Sequence, residues 1–216
     1  MLKDDVRQEV KRKCIHGGLT GTIAPLLIIL IKDQTFVRIL GLTLYAIFLV
    51  LLLLQEYSLK EDKNWNVPFA SRAYKIMAND YEKTNRTFLG GIFIILSGIL
   101  LVSFFDLFAA LVGIMVLSYA DSAAAIFGKA YPYNPILYNK KKHLEGSIAF
   151  GAVAFIVTIM SLRFSPITFP KAMLPAFIIS GVTAFVESLP IKYYYDNLTV
   201  PIAAGLLAQL FLKAIY

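Results

Sequence analysis

Four carboxylates lie within or at the ends of apolar runs: Asp121 in VLSYADSAAAIFGK, Glu145 in KKKHLEGS, Glu187 in TAFVESLP and Asp196 in YYYDNLTVP. A charged Asp at mid-bilayer costs ~2.5–3.5 kcal/mol, so each such group needs a chemical reason to be there. Hard-cation chemistry suits them. Several carboxylates, with Asn197 beside Asp196, can hold Mg²⁺ through a few direct ligands, while waters and phosphates complete the octahedral shell. Cations recur close by: Arg12, Lys13 and His16 in KRKCIHGG, Lys129 after Gly128, and the run Lys140, Lys141, Lys142. Lys142 beside Glu145, Gly146 and a helix start at Ser147 makes a phosphate site, because point charges and free helix amides both favour an anion.

Structural alternatives accompany each reading. Ser118, Asp121, Ala125 and Gly128 recur at spacings of three or four, a small-residue stripe that suits either helix packing or a ligand. Asp121 can simply pair with a buried Lys or Arg. Glu187 shares a face with Ser180, Thr183 and Ala184 and stands three residues before Pro190, where a carboxylate can reach interfacial water. The lysine run can reflect topology or attraction to anionic lipid. Two histidines do not build a metal site, and no P-loop, Gly-rich strand turn or GxSxG motif is present. Cys14 is the one cysteine and closes no internal bridge.

The elements that carry these residues are membrane helices. The chain has 216 residues, 58% apolar and 16% charged, against about 25% charged in soluble domains. Its mean hydropathy is +0.67. These figures predict an all-α, polytopic integral membrane protein, residues 1–216 forming a single membrane-embedded domain. About seven crossings are expected: Gly18 to Ile31, Phe36 to Leu54, Phe88 to Phe104, Leu107 to Phe127, Glu145 to Leu162, Ala172 to Leu189 and Leu198 to Ile215. Only Phe105 and Asp106 separate the third and fourth, which predicts a tight hairpin. The start has no apolar core of a removable signal peptide. Leu2, Val6, Val10 and Cys14 instead predict an N-terminal interfacial helix, and Phe69, Ala73, Ile76, Met77 and Tyr81 a second one, with Tyr57 and Trp65 as anchors.

With seven crossings, 16 of the 21 Lys and Arg residues fall on the N-terminal side, which places the N-terminus and the polar cluster in the cytoplasm. The net charge of +7 then reflects topology and implies no nucleic acid. A prokaryotic plasma membrane suits so short a chain, with the endoplasmic reticulum as the alternative; the oligomeric state is open.

The ordered set RKxxH, DSAAAIFGK, KxLEGS, ES and DNLTVP, from about Glu9 to Pro201, resembles the CTP-dependent lipid kinase family: dolichol and polyprenol kinases, phytol and farnesol kinases, and CTP-dependent diacylglycerol kinase. The resemblance implies transfer of a phosphoryl group from CTP, with a divalent ion, to the hydroxyl of a membrane lipid alcohol. It marks Asp121, Ser122, Gly128, Lys129, Lys142, Glu145, Gly146, Ser147, Glu187, Ser188, Asp196 and Asn197, with Arg12, Lys13 and His16 near the start. In this reading Asp121, Glu145 and Glu187 are catalytic. Asp121, Glu145, Asp196 and Asn197 hold the metal, and Arg12, Lys13, Gly128, Lys129, Lys142, Gly146 and Ser147 bind phosphate. A cytidylyltransferase making CDP-lipid is the alternative enzyme, and a transporter with an ion path the non-enzymatic one.

Overall fold

The computed structural model describes residues 4–31, 33–63 and 65–215, without the side chains at 4, 5, 8, 15, 16, 19, 20, 29 and 193. Its helices are α1 (Asp4–Leu30), α2 (Gln34–Lys60), α3 (Ala70–Met77), α4 (Asp80–Thr84), α5 (Leu89–Phe104), α6 (Leu107–Met115), α7 (Asp121–Ala130), α8 (Leu144–Leu162), α9 (Phe169–Ser188) and α10 (Tyr193–Ile215). A π-helical turn, Val116–Ala120, joins α6 to α7 into one 24-residue rod. Among the described residues five helices are long and apolar enough to cross a membrane, namely α2, the α6–α7 rod, α8, α9 and α10 from Tyr194; α5 is a shorter apolar helix. The all-α membrane architecture expected from composition is what the chain forms.

Small residues let these helices meet. Eight alanines, at 109, 110, 120, 154, 172, 176, 204 and 208, are at most 1% exposed, around a core of Leu111, Val112, Val116, Phe150, Leu162 and Ile179. Without water there is little hydrophobic drive between helices in lipid, so close backbone approach and dispersion hold them. A Cβ on Gly146 of α8 would lie 2.9 Å from the Ala124 carbonyl oxygen and 3.3 Å from Gly128 Cα, which marks a tight α7–α8 crossing. Outward faces carry Ile39, Val50, Leu174, Phe177 and Leu206 to the lipid. The hairpin at Phe105 and Asp106 forms as expected: the Asp106 carboxylate accepts from Phe108 N at 2.8 Å, while its own N–H donates to Gln209 Oε1 at 2.6 Å.

Three local expectations change. The N-terminal segment is no separate interfacial helix, for α1 runs unbroken from Asp4 through the first apolar stretch. Val6 and Glu9 turn inward at 4% exposure, whereas Cys14, expected on the apolar stripe, is exposed. The inward face is chosen by charge. Glu9 accepts from Arg12 Nη2 at 2.5 Å and from Lys129 Nζ at 2.7 Å, which ties α1 to the end of α7. Farther along, a Cβ on Gly17 would lie 2.8 Å from the Ser118 carbonyl oxygen. The second interfacial helix shortens to α3, because Asn79 and Glu82 form a reciprocal capping box that starts α4 and takes Tyr81 with it. The loop before α8 holds a two-stranded antiparallel ribbon, β1 (Pro135–Ile136) and β2 (Asn139–His143), and α8 starts at Leu144 instead of Ser147.

Two outcomes follow from this packing. Gly146→Ala pushes α7 from α8 and is expected to cost about 1–3 kcal/mol, whereas Gly181→Ala, with nothing within 4 Å, leaves detergent-solubilised thermal stability unchanged. The second concerns α1. Burial works against the Glu9 charge, but Arg12 and Lys129 overcome it and hold the carboxyl below its usual value of 4.5. A lowered folded pKa stabilises above the unfolded value and is lost as pH falls through the folded one. A fluorophore on Cys14 should therefore report α1 docking that is constant at neutral pH and loosens only below about pH 4.5, the usual glutamate value. Glu9→Gln should loosen it at neutral pH, at a cost of about 1.5–3 kcal/mol, and abolish the acid transition.

Candidate active site

A cavity of about 510 Å³ opens at one end of the bundle. It lies where α1 passes the α6–α7 rod and where α5, α8 and α10 begin and α9 ends. The chain thus gathers polar side chains from elements far apart in sequence: Glu9, Arg12 and Lys13; Asn79 and Glu82; Asp121 and Lys129; Lys141, Lys142, His143 and Ser147; Glu187; Asp196 and Asn197.

Three of these residues form a charge cluster. Lys142, at the end of β2, places Nζ 2.8 Å from Glu187 Oε1 and 2.7 Å from Asp196 Oδ2, and it also donates to the Glu187 carbonyl. One ammonium therefore serves two carboxylates. Burial works against the lysine charge, but Glu187 and Asp196 outweigh it and hold its pKa above the ordinary lysine range. The second oxygen of each acid, Glu187 Oε2 and Asp196 Oδ1, is buried without a hydrogen-bond partner among the described residues. Buried carboxylate oxygens are rarely left unmatched, and a divalent cation is the partner their chemistry fits. Beside them Asn197 donates through its amide nitrogen to Gly90 O at 3.1 Å, which keeps its carbonyl oxygen as a neutral ligand. Among the described residues no three His, Cys, Asp or Glu side chains form a complete metal cage. Mg²⁺ needs none, because one or two carboxylates with phosphate oxygens and water suffice.

Elsewhere the lining pairs cations with acids. Lys13 of α1 pairs with Asp121 at the start of α7, and Arg12 and Lys129 flank the buried Glu9. Arg12 reaches the Met77 carbonyl at 3.5 Å, while its Nε is buried without a partner, as is the Ser147 hydroxyl. These unpartnered donors suit phosphate oxygens, and an Arg guanidinium suits them in bidentate fashion. Asp121 owes its position to the π turn, in which its N–H bonds Val116 O; π turns inserted in α-helices recur at functional sites.

Of the residues marked in the sequence, Arg12, Lys13, Asp121, Lys129, Lys142, Ser147, Glu187, Asp196 and Asn197 are brought together here. Others take different places. Gly128 and Gly146 border the cavity, but they face each other across the α7–α8 crossing, so their lack of side chains serves helix approach. Glu145 does not line the cavity and accepts from Asn134 Nδ2 at 2.7 Å, tying down the loop before the ribbon. Ser122 donates to Ser118 O at 2.5 Å, and Ser188 donates to Phe185 O at 2.7 Å; neither lines the cavity. The side chain of His16 lies outside the described residues.

Sequence reasoning missed Glu9, Asn79, Glu82 and Phe88, all of which line the cavity. Glu82 Oε1 accepts from Gly90 N at 2.8 Å, and Glu56 Oε2 accepts from Phe88 N at 2.5 Å, so two buried acids fix the entry to α5. The Asn-x-x-Glu spacing of Asn79 and Glu82 was a usable signal. Nothing comparable distinguished Glu9 among the charges of the first helix.

A stretch of 93 residues, 40% of this chain, is 40% identical to the probable phytol kinase 3 of Glycine max, described as chloroplastic. The match spans 29% of that protein's length. No family model matches the sequence, and no solved structure matches it. Phytol kinases are among the CTP-dependent lipid kinases that the ordered motifs resemble, and this similarity supports the resemblance.

Proposed function

We propose that this chain is a lipid alcohol kinase that transfers the γ-phosphoryl group of CTP to the hydroxyl of a membrane-borne alcohol of the polyprenol, phytol or diacylglycerol type. The observation that carries the reading is the Lys142, Glu187 and Asp196 cluster. Two buried acids share one ammonium, and each retains an oxygen without a partner among the described residues, inside a cavity that Arg12, Lys13, Lys129 and Lys141 also line. Similarity to a phytol kinase points the same way. The Lys and Arg asymmetry favours a cytoplasmic mouth, where water-borne nucleotide can enter.

Phosphoryl transfer asks for positioning and charge stabilisation more than for covalent chemistry. Glu187, Asp196 and Asn197 would hold Mg²⁺, which supplies charge neutralisation on the phosphates. Arg12, Lys13, Lys129 and Lys142 neutralise the remaining phosphate charge, and the Ser147 hydroxyl donates to a phosphate oxygen. Asp121 accepts the hydrogen bond of the alcohol hydroxyl and takes its proton as the alcohol oxygen bonds to the γ-phosphorus. The bond from that phosphorus to the β,γ-bridging oxygen breaks, and CDP leaves with the bonding pair. A cytidylyltransferase would break the α,β-linkage instead and leave pyrophosphate.

Protein in lipid nanodiscs, given Mg²⁺, an alcohol panel and CTP labelled at either the γ- or the α-phosphate, decides between these. The expected result is γ-label in lipid phosphate with CDP released. Label from the α-phosphate in lipid, with pyrophosphate released, would assign the cytidylyltransferase, and no transfer from folded protein would end the enzyme reading. Asp196→Asn and Glu187→Gln should each lower kcat/KM by roughly 10²–10³-fold, and both should raise the Mg²⁺ concentration needed for half-maximal rate.

A further inference from the structure

The charged cavity continues into an apolar one. Met77, Phe88, Gly91 and Ile94 line both, and the second, of about 260 Å³, extends between α1, α2, α5 and α6. Among the described residues its walls hold a single side-chain oxygen, the Tyr45 hydroxyl, beside residues such as Leu44, Phe48, Leu52, Ile95 and Val102. Along α2 the lining runs from Leu52 to Val37. That distance is about 22 Å of helix rise, much of the ~30 Å hydrocarbon thickness. Tyr45 stands midway. Its ring lies against Gly98 of α5, where any Cβ would collide with it, so the ring reaches across from α2 to α5.

The geometry points to this groove as the seat of the alcohol's hydrocarbon chain, with Tyr45 as the residue that determines how long a chain is accepted. The inference rests on the kinase reading above and deepens it. Continuity selects the occupant: a chain lying in the groove delivers its head through Met77, Phe88, Gly91 and Ile94 to the wall of Asp121 and Asp196. A hydroxyl fits there as a hydrogen-bond donor. Apolar walls discriminate by fit, and a poorly fitting methylene is worth roughly 10–200-fold in kcat/KM. The Tyr45 ring, which bridges α2 and α5 midway along the lining, is the feature that can set such a limit.

The test is competition. Full-length protein in nanodiscs receives CTP, Mg²⁺ and an equimolar mixture of decanol, tetradecanol, octadecanol and docosanol, and mass spectrometry reads the ratio of alkyl phosphates. That ratio reports relative kcat/KM whatever fraction of the protein is active. The wild type should favour one length by at least about tenfold. Tyr45→Ala should move the preference to longer chains, and Tyr45→Phe, which keeps the ring, should reproduce the wild-type ratio. Ratios indifferent to length, or unchanged in Tyr45→Ala, overturn the inference while leaving the kinase reading standing. If no alcohol is phosphorylated the kinase reading fails, and the groove is judged by itself with octadecanol carrying a terminal diazirine. Label concentrated on Leu44, Phe48 and Leu52 supports it. Label spread equally over the lipid-facing Phe36, Val50 and Leu53 overturns it.

Discussion

The structure depends on the pairing of charge in a place where water cannot help. Moving a carboxylate out of water costs several kcal/mol unless a cation and hydrogen bonds replace the solvent. Lys142 meets that requirement for two acids at once, and in doing so it fixes the ribbon, the end of α9 and the start of α10 relative to one another. Glu9 does the same on the other side, with cations from α1 and α7. The polar end of the bundle is therefore held by the same ions that give the cavity its chemistry. The compensation is incomplete. Buried oxygens on Glu187 and Asp196 and a buried nitrogen on Arg12 have no partner, and these unmatched atoms are where a cation and an anion gain most by binding.

Packing then decides where the charges sit. The α7–α8 crossing is close enough that Gly146 admits no side chain, and α1 comes equally near Ser118 at Gly17. Glycine at such contacts contributes by absence, since dispersion between backbones replaces the missing hydrophobic drive. The π turn at Val116–Ala120 adds one residue to the helical repeat just before Asp121. In an unbroken α-helix that residue would point about 100° elsewhere, and the Lys13–Asp121 pair would not form as it does.

The sequence made the fold class legible because hydropathy over twenty residues reports directly on the solvent a helix needs. It also made the acids of the cluster legible, since a carboxylate in an apolar run has few bland explanations. Three things were hidden. Whether Gly128 and Gly146 touch phosphate or each other depends on crossing geometry, which no local spacing encodes. Glu9 resembles its exposed neighbours until α7 brings Lys129 to it. The continuity of α1 was obscured because its polar first half reads as amphipathic, although the partner of its buried face is protein and not lipid headgroups.

Phe88 shows how the two solvents are kept apart within one small protein. Its ring is 2% exposed, packs edge-on against Tyr74 with centroids 5.5 Å apart, and would lie 3.0 Å from any Cβ added to Gly91. Its N–H donates to Glu56 at the end of the long apolar helix α2, and Glu56 also accepts from the Thr87 hydroxyl at 2.6 Å. A buried carboxylate thus anchors a residue of α5's entry that walls both the charged and the apolar cavities. Phosphoryl chemistry gains from a dry, preorganised site, because charge interactions strengthen as water leaves. A membrane-borne substrate, for its part, must not carry water with it. Holding an aromatic ring at that boundary through a hydrogen bond to its own backbone meets both conditions, and it gives the burial of Glu56, remote from the Lys142 cluster, a structural reason.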